Sequence, residues 1–404
     1  MAEQPQSAGP LNGLRVLDIA TIIAGPLAAT FLADFGADVV KIEMPKGGDG
    51  LRALRPHKDG VPLWWKVTNR NKKCATLDMR TEEGAEIIKQ MVPHFDVLVE
   101  NFRPGTIERW GIGPDVLQAI NPNLTILRVT AFGQTGPYSS RPGFARVGEA
   151  MSGFQSISGE PDGAPLHVGY PIADAVTGMF GAMGILVALM EQRLNPGAPG
   201  QVVDVSLAES MFRITEFLAI EYDQLGEVRG RTGNRNPYAA PGNVYKSKDG
   251  RWITVPASTQ ALFERLIRTV GRPEYIDDPR FATNVDRLAH AQVLEDAIGD
   301  WISRRDAVDA CRIFDENSVA NAPVKTIDEL FEDPHYKAYE MIIPVPDDEL
   351  GEVRMQAVTP RLSRTPGTVT HAGPAHGAHT DQVYADEIGL SNAEISALRD
   401  KGVV

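Results

Sequence analysis

Short apolar runs alternate with helical segments over the first 130 residues, and this alternation constrains the fold more than any other feature. The runs read LRVLDIAT, ADVVKIE, KKCATLD, DVLVENF and TILRVTAFG. Gly25 and Pro26 open a helix after the first run and Gly36 closes it, as is usual for these residue types at helix ends. Strand-helix-strand units of this kind build parallel sheets with right-handed crossovers. The sequence therefore predicts an α/β fold.

The turn after the first predicted strand weakens the function that such a fold first suggests. It reads ATIIAGP and lacks the glycine-rich fingerprint that holds the pyrophosphate of a dinucleotide. The sequence also contains no P-loop and no GxSxG nucleophile elbow. The predicted sheet is thus Rossmann-like without the nicotinamide signature, and we expect ligands in the loops that follow its strands.

Composition and charge exclude several classes of protein. With 404 residues, 43% of them hydrophobic, the chain can bury a large core and is expected to form two folded units. A formal charge of -13 argues against a nucleic-acid surface. Two cysteines, Cys74 and Cys311, are too few for a disulfide framework and favour a reducing cytoplasm.

Neither a membrane segment nor a metal site is predicted. The first residues, MAEQPQSAGPLNG, lack the basic start and apolar run of a signal peptide, and the most apolar helix is interrupted by glycines and too short to span a bilayer. None of the eight histidines has the spacing of a metal site. Three of them fall in THAGPAHGAHTD, which we interpret as a solvated loop.

The stretch over residues 169–189 carries a single acidic residue, Asp174, ahead of an apolar helix. Met179, Met183 and Leu186 recur there at helical spacing, which puts Asp174 at or near the N-terminus of the helix. One interpretation is an N-cap, for which aspartate is well suited. The other is a carboxylate nucleophile kept ionised by the helix dipole, which substrate approaches along the glycine-bearing lead-in SISGEPDGAPLHVGYP.

The chain changes character near residue 226. The segment GEVRGRTGNRNPYAAPG has no hydrophobic period and is typical of a loop at a domain boundary. A hairpin with Asp249 and Gly250 in its turn follows, and then come several short helices. From about residue 333 the pattern mixes strands with a final helix.

Several motifs together resemble the class III CoA-transferases, the family of formyl-CoA transferase and carnitine-CoA transferase. They include LNGLRVLDIATIIAGP, NRNKKCATLDMRTEEG, DVLVENFRPGTIERWG, AFGQTGPY, SGEPDGAPLHVGYPIADAVTG, GQVVDVSLAES and the closing LRDKGVV. The resemblance implies a large Rossmann-like CoA-binding domain built from both chain ends, 1–225 and 333–404, with a small α+β domain, 226–332, inserted. It also implies that two chains are threaded through each other as an interlocked dimer.

The resemblance further implies covalent catalysis by Asp174. Its carboxylate would attack the thioester of an acyl-CoA donor to give a mixed anhydride, and the released CoA would attack that anhydride to give an aspartyl-CoA thioester. A carboxylic acid acceptor would then repeat the sequence in reverse. Because an unperturbed aspartate has a pKa near 3.9, we expect Asp174 to be ionised at neutral pH.

The positions that contact CoA in the family carry over onto five residues. Leu77 and Phe102 would lie beside adenine, Asn101 would be a polar anchor, and Arg80 and Arg109 would meet phosphate oxygens. The CoA thioester is then a substrate, and no tightly bound cofactor is expected. We expect a cytoplasmic homodimer, with a heteromer as the open alternative.

The acyl substrate is predicted to be larger than oxalate or formate. Formyl-CoA transferase has a His and a Gln ahead of the Ala-Gly-Pro turn, where this chain has Thr21 and Ile23, and isoleucine cannot donate to a small dianion. A dicarboxylate such as succinate fits better, with succinyl-CoA as donor and with Arg141 or Arg146 facing the distal carboxylate. The assignment of these two arginines rests on charge alone.

Two alternative functions stay open at this point. The related alpha-methylacyl-CoA racemases carry a His in the segment that here reads RPGFARVGEA, where this chain has Phe144 and Ala145. The second proton-transfer group of a racemase is therefore missing. The other alternative is a non-catalytic CoA-binding subunit of a heteromeric transferase, which the presence of Asp174 disfavours.

Overall fold

The computed structural model of the protein describes residues 9–404, so the first eight residues of the predicted large domain lie outside it. The chain forms two compact units. The first comprises the described residues 9–154 together with 167–226 and 339–404. The second comprises 155–166 and 227–338.

The secondary structure is numbered in chain order. The strands are β1 (Arg15–Asp18), β2 (Asp38–Glu43), β3 (His57–Lys58), β4 (Val61–Pro62), β5 (Lys72–Thr76), β6 (Val97–Glu100), β7 (Thr125–Thr130), β8 (Val202–Ser206), β9 (Gly242–Lys246), β10 (Trp252–Pro256), β11 (Ala322–Pro323), β12 (Ile342–Asp347) and β13 (Gly351–Gln356). The α-helices are α1 (Ala24–Ala33), α2 (Leu63–Thr68), α3 (Glu82–Met91), α4 (Thr106–Arg109), α5 (Pro114–Ile120), α6 (Ala145–Met151), α7 (Ile172–Leu194), α8 (Leu207–Arg213), α9 (Phe217–Leu225), α10 (Gln260–Thr269), α11 (Asn284–Ala289), α12 (Ala291–Ser303), α13 (Ala307–Glu316), α14 (Ile327–Glu332), α15 (Pro334–Ala338), α16 (Thr380–Ile388) and α17 (Asn392–Asp400).

A parallel sheet of six strands organises the first unit. The strands lie in the order β5-β2-β1-β6-β7-β8, and every neighbouring pair is parallel. Counted among themselves, the strands follow the order 3-2-1-4-5-6 of doubly wound nucleotide-binding sheets, in which ligands bind outside the carboxyl ends where the order reverses. The predicted α/β fold with a parallel sheet is confirmed. Its reversal point lies between β1 and β6.

The sheet is covered on both faces. Successive strand residues point to opposite sides, so Val16 packs with α1 and α7 in one cluster while Leu17 packs with α3 and α16 in the other. Both side chains are fully buried. Burial on both faces explains why the strands read as continuous apolar runs without alternation.

Helix α7 is the longest helix of the described chain, with 23 residues. Gly178 and Gly181 let it lie against α1 and β7, because a Cβ atom would come within 3.1 Å of the Ala24 carbonyl oxygen at Gly178 and within 2.9 Å of Leu127 at Gly181. By length and composition it is the one helix within residues 9–404 that could cross a membrane. The prediction that it is too short was therefore wrong. Its packing on α1 and the sheet is that of a core helix.

The histidine-rich segment is a loop up to His379, as predicted, but part of it packs against the large sheet. The half-buried His379 accepts a hydrogen bond from the Cys74 backbone N–H at 3.1 Å, and His376 Nε2 lies 2.9 Å from the Met44 carbonyl oxygen. Helix α16 begins at Thr380, directly after His379, and the Thr380 hydroxyl accepts a hydrogen bond from the Thr76 N–H at 3.1 Å. The segment thus pairs with the edge strand β5 of the large sheet.

The second unit is built around an antiparallel sheet in the order β11-β10-β9. Strands β9 and β10 form the predicted hairpin, and Gly250 in its turn has φ +83°, a conformation that glycine adopts without strain. Helices α10, α12 and α13 supply the rest of a core that includes Ile253, Phe263 and Phe314.

The short segment 155–166 is fastened to the loop that opens the larger part of the second unit. Arg231 donates to the carbonyl oxygens of Glu160 at 3.1 Å, Pro161 at 3.2 Å and Gly163 at 2.8 Å. The Gly233 N–H adds a bond to the Gly159 carbonyl oxygen at 2.9 Å. Hydrogen bonds to backbone carbonyl oxygens therefore join the two pieces of this unit, which are distant in sequence.

Candidate active site

Asp174 lies in the first turn of α7, where helix N–H groups are free of intrahelical partners. The N-cap position belongs to Pro171, so the interpretation of Asp174 as the N-cap was wrong. Within residues 9–404 the Asp174 side chain makes no hydrogen bond or ion pair. A carboxylate without a partner is unusual in a partly buried position, because burying a charge unpaired is costly.

Burial, together with the smaller effect of the nearby Glu149, raises the pKa of Asp174 from its ordinary value of 3.8 to about 7. The expectation that Asp174 is ionised at neutral pH took the ordinary pKa of aspartate and did not include this rise. A helix dipole stabilises a negative charge by about 0.3–1 kcal/mol, whereas a shift of this size corresponds to roughly 4 kcal/mol. Desolvation outweighs the dipole, so the carboxyl keeps its proton to a higher pH than an exposed aspartate does.

Three further side chains, Glu149, His167 and Tyr170, belong to this neighbourhood and were missed in the sequence. Glu149 on α6 has a side chain that is only 1% exposed, and its Oε2 lies 2.8 Å from His167 Nδ1. Tyr170 is close enough for Asp174 to add to the rise that burial causes in its pKa. Glu149 lies on α6 and His167 in a loop 18 residues later, so no local spacing could have indicated their contact.

Asn101 and Phe102 follow β6 at the carboxyl edge of the sheet. The Asn101 amide bridges both backbone groups of Thr21, accepting from its N–H at 2.7 Å and donating to its carbonyl oxygen at 2.7 Å. Phe102 lies edge-on to Trp110, with ring centroids 4.9 Å apart. A narrow cavity of about 50 Å³ lies at this place, and both Phe102 and Arg80 line it.

The remaining predicted CoA contacts differ in exposure. Leu77 follows β5 but is fully buried in the core, so its side chain offers no surface to a ligand in this conformation. Arg80 is 60% exposed and pairs with Asp78 at 2.7 Å. The exposed Arg109 donates to the Thr106 hydroxyl at 3.0 Å. Arg80 and Phe102 thus line the same cavity, whereas the Leu77 side chain lies in the hydrophobic core.

The turn after β1 is strained and firmly held. Ile22 has φ +68°, a left-handed conformation that is an outlier for a β-branched residue. Its N–H donates at 2.9 Å to Asp49 Oδ1, which also accepts from the Leu51 N–H at 2.8 Å. The next residue, Ile23, is buried among Leu51 and Trp65, so its side chain anchors the turn in the core.

Four charged residues beneath this turn form what we call the buried charge network: Asp18, Lys41, Asp49 and Lys72. Lys72 Nζ donates to Asp18 at 2.9 Å, and Lys41 Nζ lies 3.3 Å from Asp49 and donates to the Ala20 carbonyl oxygen. Burial lowers the pKa of Lys72. For Lys41 burial acts in the same direction, but Asp18 and Asp49 outweigh it and its pKa is raised. Each lysine is therefore held by an aspartate.

The arginines predicted to face the acyl substrate are both exposed. Arg141 stacks on Tyr138 with its guanidinium 4.4 Å from the ring centroid, and Arg146 projects from α6. At the position of the racemase histidine, Phe144 is 74% exposed and Ala145 is buried. No group of three or more metal-ligating side chains is present in the described part of the chain.

A sequence profile of CoA-transferase family III matches residues 11–380. The chain belongs to this family. It is 44% identical over 396 residues, 98% of both chains, to succinyl-CoA–D-citramalate CoA-transferase of Chloroflexus aurantiacus. It is 41% identical over 399 residues, again 98% of both, to the beta subunit of succinyl-CoA–L-malate CoA-transferase from the same organism.

A solved structure agrees with the sequence relatives. The crystal structure of a CAIB/BAIF family protein from Brucella suis matches with a TM-score of 0.83 and 31% identity, covering 94% of this chain and 100% of that one. The family predicted from the motifs is confirmed. The protein is a CoA-transferase, which moves CoA from an acyl-CoA donor to a carboxylic acid.

Proposed function

We propose that Asp174 is the nucleophile of this CoA-transferase. One of its carboxylate oxygens attacks the thioester carbonyl carbon, the C–S bond breaks, and CoA leaves as a thiolate. The thiolate then attacks the aspartyl carbonyl of the mixed anhydride, which gives an aspartyl-CoA thioester and the free donor acid. The acceptor acid runs the same two steps in reverse.

One observation carries this proposal: Asp174 is a partly buried carboxylate with no partner in the described chain, and burial raises its pKa to about 7. A carboxylate that serves only structure is normally hydrogen-bonded or ion-paired. A desolvated carboxylate is more basic, and therefore more nucleophilic, than one in water. Perturbed groups of this kind cluster at functional sites.

We infer that CoA lies at the carboxyl edge of the large sheet. Arg80 and Arg109 are exposed and can reach phosphate oxygens, and Phe102 offers an aromatic surface beside the narrow cavity. Asn101 acts by fixing the turn at Thr21. Since the Leu77 side chain is buried, its part in this site is to support the others from the core.

We propose succinyl-CoA as the donor and a dicarboxylic acid as the acceptor. The relatives that share 44% and 41% identity over almost the whole chain are named for succinyl-CoA with citramalate or malate. A second carboxylate on the substrate needs a cation, and the exposed Arg141 and Arg146 are the candidates. We further propose that the reaction takes place in the cytoplasm, with CoA thioesters as substrates and without a tightly bound cofactor.

We propose that the active form is an interlocked dimer of identical chains. The outer side of α7 leaves five large apolar side chains more than half exposed, namely Met179, Met183, Val187, Met190 and Leu194. An exposed apolar surface of this extent marks an interaction site, and a second copy would cover it. Since one relative is a beta subunit, mass measurement of the purified protein decides between a homodimer and a heteromer.

The substitution Asp174→Asn tests the nucleophile. We expect CoA exchange between succinyl-CoA and succinate to fall at least about a thousandfold, because the amide cannot form the anhydride. Hydroxylamine added with succinyl-CoA is expected to convert Asp174 of the unmodified enzyme to a hydroxamate, which peptide mass spectrometry detects. Asp115→Asn, an exposed acid in the first turn of α5, is the control and keeps full activity.

Two outcomes would contradict the proposal. Wild-type exchange by the asparagine variant would show that Asp174 is not the nucleophile. Exchange of the α-proton of succinyl-CoA with solvent deuterium, without CoA transfer, would point to the racemase chemistry of related enzymes. A panel of carboxylic acids then identifies the acceptor from the same exchange assay.

A further inference from the structure

Arg128 is a buried arginine on β7 that has no part in the transfer steps or in the CoA contacts given above. Its side chain is 8% exposed. In the register of the large sheet it lies directly opposite Glu100, the last residue of β6. Its Nε donates to Glu100 Oε1 at 2.6 Å, and its Nη1 lies 2.8 Å from Oε1 of Glu108 on α4. One guanidinium therefore spans two carboxylates from separate elements.

The two carboxylates lie near the two ends of residues 100–110, which we call the β6–α4 segment. Glu100 begins this segment, and its Oε2 accepts a hydrogen bond from the Phe102 N–H at 2.7 Å. Glu108 lies near the other end, immediately before Arg109. Phe102 and Arg109 are two of the proposed CoA contacts, and Phe102 lines the narrow cavity. The contacts of Arg128 therefore reach both parts of the segment that carry a CoA contact.

The surroundings of both carboxylates restrict where they can lie. The Glu100 side chain is fully buried, and a buried carboxylate is costly unless it is paired. Glu108 is 41% exposed, but its side chain packs against Gly113, where a Cβ atom would come within 2.9 Å of Glu108 Cγ. The apolar side of the segment is anchored by Ile107, which is fully buried. Arg128 adds a polar tie between the segment and β7.

We propose that Arg128 is a positioning residue for CoA, because its guanidinium holds the β6–α4 segment with Phe102 and Arg109 in place for the ligand. The inference rests on the proposed CoA site. A guanidinium suits this task since its planar fork reaches two acceptors in fixed directions, whereas a lysine ammonium is a point charge on a flexible stem. A segment that is ordered beforehand lowers the entropic cost of binding. Arg128 acts through the segment and needs no contact with CoA.

Two substitutions break the contact with Glu108 and leave Glu100 paired. Glu108→Ala removes the exposed carboxylate, and Arg128→Lys keeps a cation beside Glu100 but removes the fork. We expect each to weaken CoA binding about three- to tenfold in calorimetric titration and to raise KM for succinyl-CoA by a similar factor, with kcat changed less than about twofold. Glu108→Gln keeps an acceptor for Arg128 and should retain most of the affinity.

A double variant tests whether the two substitutions act through one contact. Since Glu108→Ala and Arg128→Lys break the same contact, the combined variant should bind CoA no more weakly than the weaker single variant. If the combined loss is the product of the two single losses, each substitution acts by a separate route and the inference is overturned.

The controls change similar contacts away from the segment. Arg15, at the start of β1, also approaches two carboxylates, Asp38 at 3.7 Å and Glu387, so Arg15→Lys should leave the CoA affinity unchanged. Glu86→Ala removes an exposed glutamate that pairs with Lys89 at 3.5 Å and should also have no effect. If these controls weaken CoA binding as much as the test variants do, the effect is a general one on the fold and the inference is overturned.

A second measurement tests the tie to β7 separately from the CoA site. Without ligand, we expect hydrogen–deuterium exchange of peptides from the β6–α4 segment to be about three- to tenfold faster in Glu108→Ala and Arg128→Lys than in the unmodified protein. Unchanged exchange in both variants overturns the inference. Faster exchange with unchanged CoA affinity overturns the positioning role, and if Arg80→Gln also keeps its affinity, the proposed CoA site is wrong as well.

Discussion

The buried charge network and Asp174 treat charge in opposite ways within one folded unit. Asp18, Lys41 and Lys72 are wholly buried, and each is engaged by an opposite charge or a carbonyl oxygen. Asp174 has no such partner in the described chain, and its neighbour Glu149 carries the same sign. The contrast shows two uses of a buried charge. Charges paired with an opposite charge or a carbonyl oxygen hold the backbone in place, whereas an unpaired carboxylate is available to react.

The network has a definite task in this comparison. It holds the turn after β1, where Ile22 adopts a left-handed conformation that costs an L-residue about 1–2 kcal/mol. The Asp49 carboxylate accepts the Ile22 N–H and is itself approached by Lys41 at 3.3 Å. Strain of this kind persists only where surrounding structure determines it, and the network supplies that structure.

The largest expected effect comes from breaking the network. Lys72→Met leaves Asp18 with one distant lysine, Lys41 at 3.8 Å, and we expect the free energy of unfolding to fall by about 3–5 kcal/mol. Denaturant titration followed by circular dichroism measures it. Lys73→Met is the matched control, since its pair with Asp38 is 38% exposed on both sides and is worth below about 1 kcal/mol. If the two variants lost equal free energy of unfolding, the buried charge network would stabilise the fold no more than an exposed ion pair does.

A smaller effect of opposite sign is expected at Asp174. Its folded pKa of about 7 lies above the unfolded value of 3.8, so the folded state binds more protons between these values and stability falls as pH rises through that window. Asp174→Asn should raise the free energy of unfolding by about 1–2 kcal/mol at pH 8, less than the full shift because the side chain keeps some contact with water. At pH 4 the gain should vanish.

The pH dependence is the decisive part of that measurement. Asp115→Asn, on an exposed helix turn, is expected to show no such window between pH 4 and pH 8. A gain for Asp174→Asn that is the same at both pH values would mean that packing, and not ionisation, is responsible. Asp174 would then not be the unpaired buried charge that distinguishes it from the buried charge network.

The smallest effect on folding is expected where charges are paired but exposed. Arg80 pairs with Asp78 at 2.7 Å while 60% exposed, so Arg80→Gln should leave the unfolding transition nearly unchanged and weaken CoA binding about three- to tenfold. Calorimetric titration with CoA measures the affinity. Arg280 makes the same contact with Asp278, also at 2.7 Å, in the second unit. Arg280→Gln should leave the affinity unchanged, and a matching loss there would contradict the CoA site.

Elements with a clear local pattern were predicted well from the sequence. The apolar runs became β1, β2, β5, β6 and β7, and the hairpin turn at Gly250 formed as expected. The place of Asp174 in the first turn of a long helix was also found, because helical spacing of the residues after it is visible without any tertiary contact.

What depends on contacts between distant segments was not predicted. The pKa of Asp174 follows from burial and from Glu149, and neither can be read from the residues next to it. The contacts of His379 with Cys74 and of His376 with Met44 each join residues more than 300 positions apart in sequence. Leu77 matched the family motif, yet its burial puts the side chain in the core.

The two-piece makeup of the second unit limits how this unit can be exchanged between relatives. Arg231 donates to the carbonyl oxygens of Glu160, Pro161 and Gly163 in the other piece of the unit. A chimaera that exchanges only 227–338 would therefore combine the Arg231 loop of one relative with segment 155–166 of another. Recombination therefore needs four crossover points instead of two. Segment 155–166 and the loop at Arg231 have to be exchanged together if their hydrogen bonds are to come from one parent sequence.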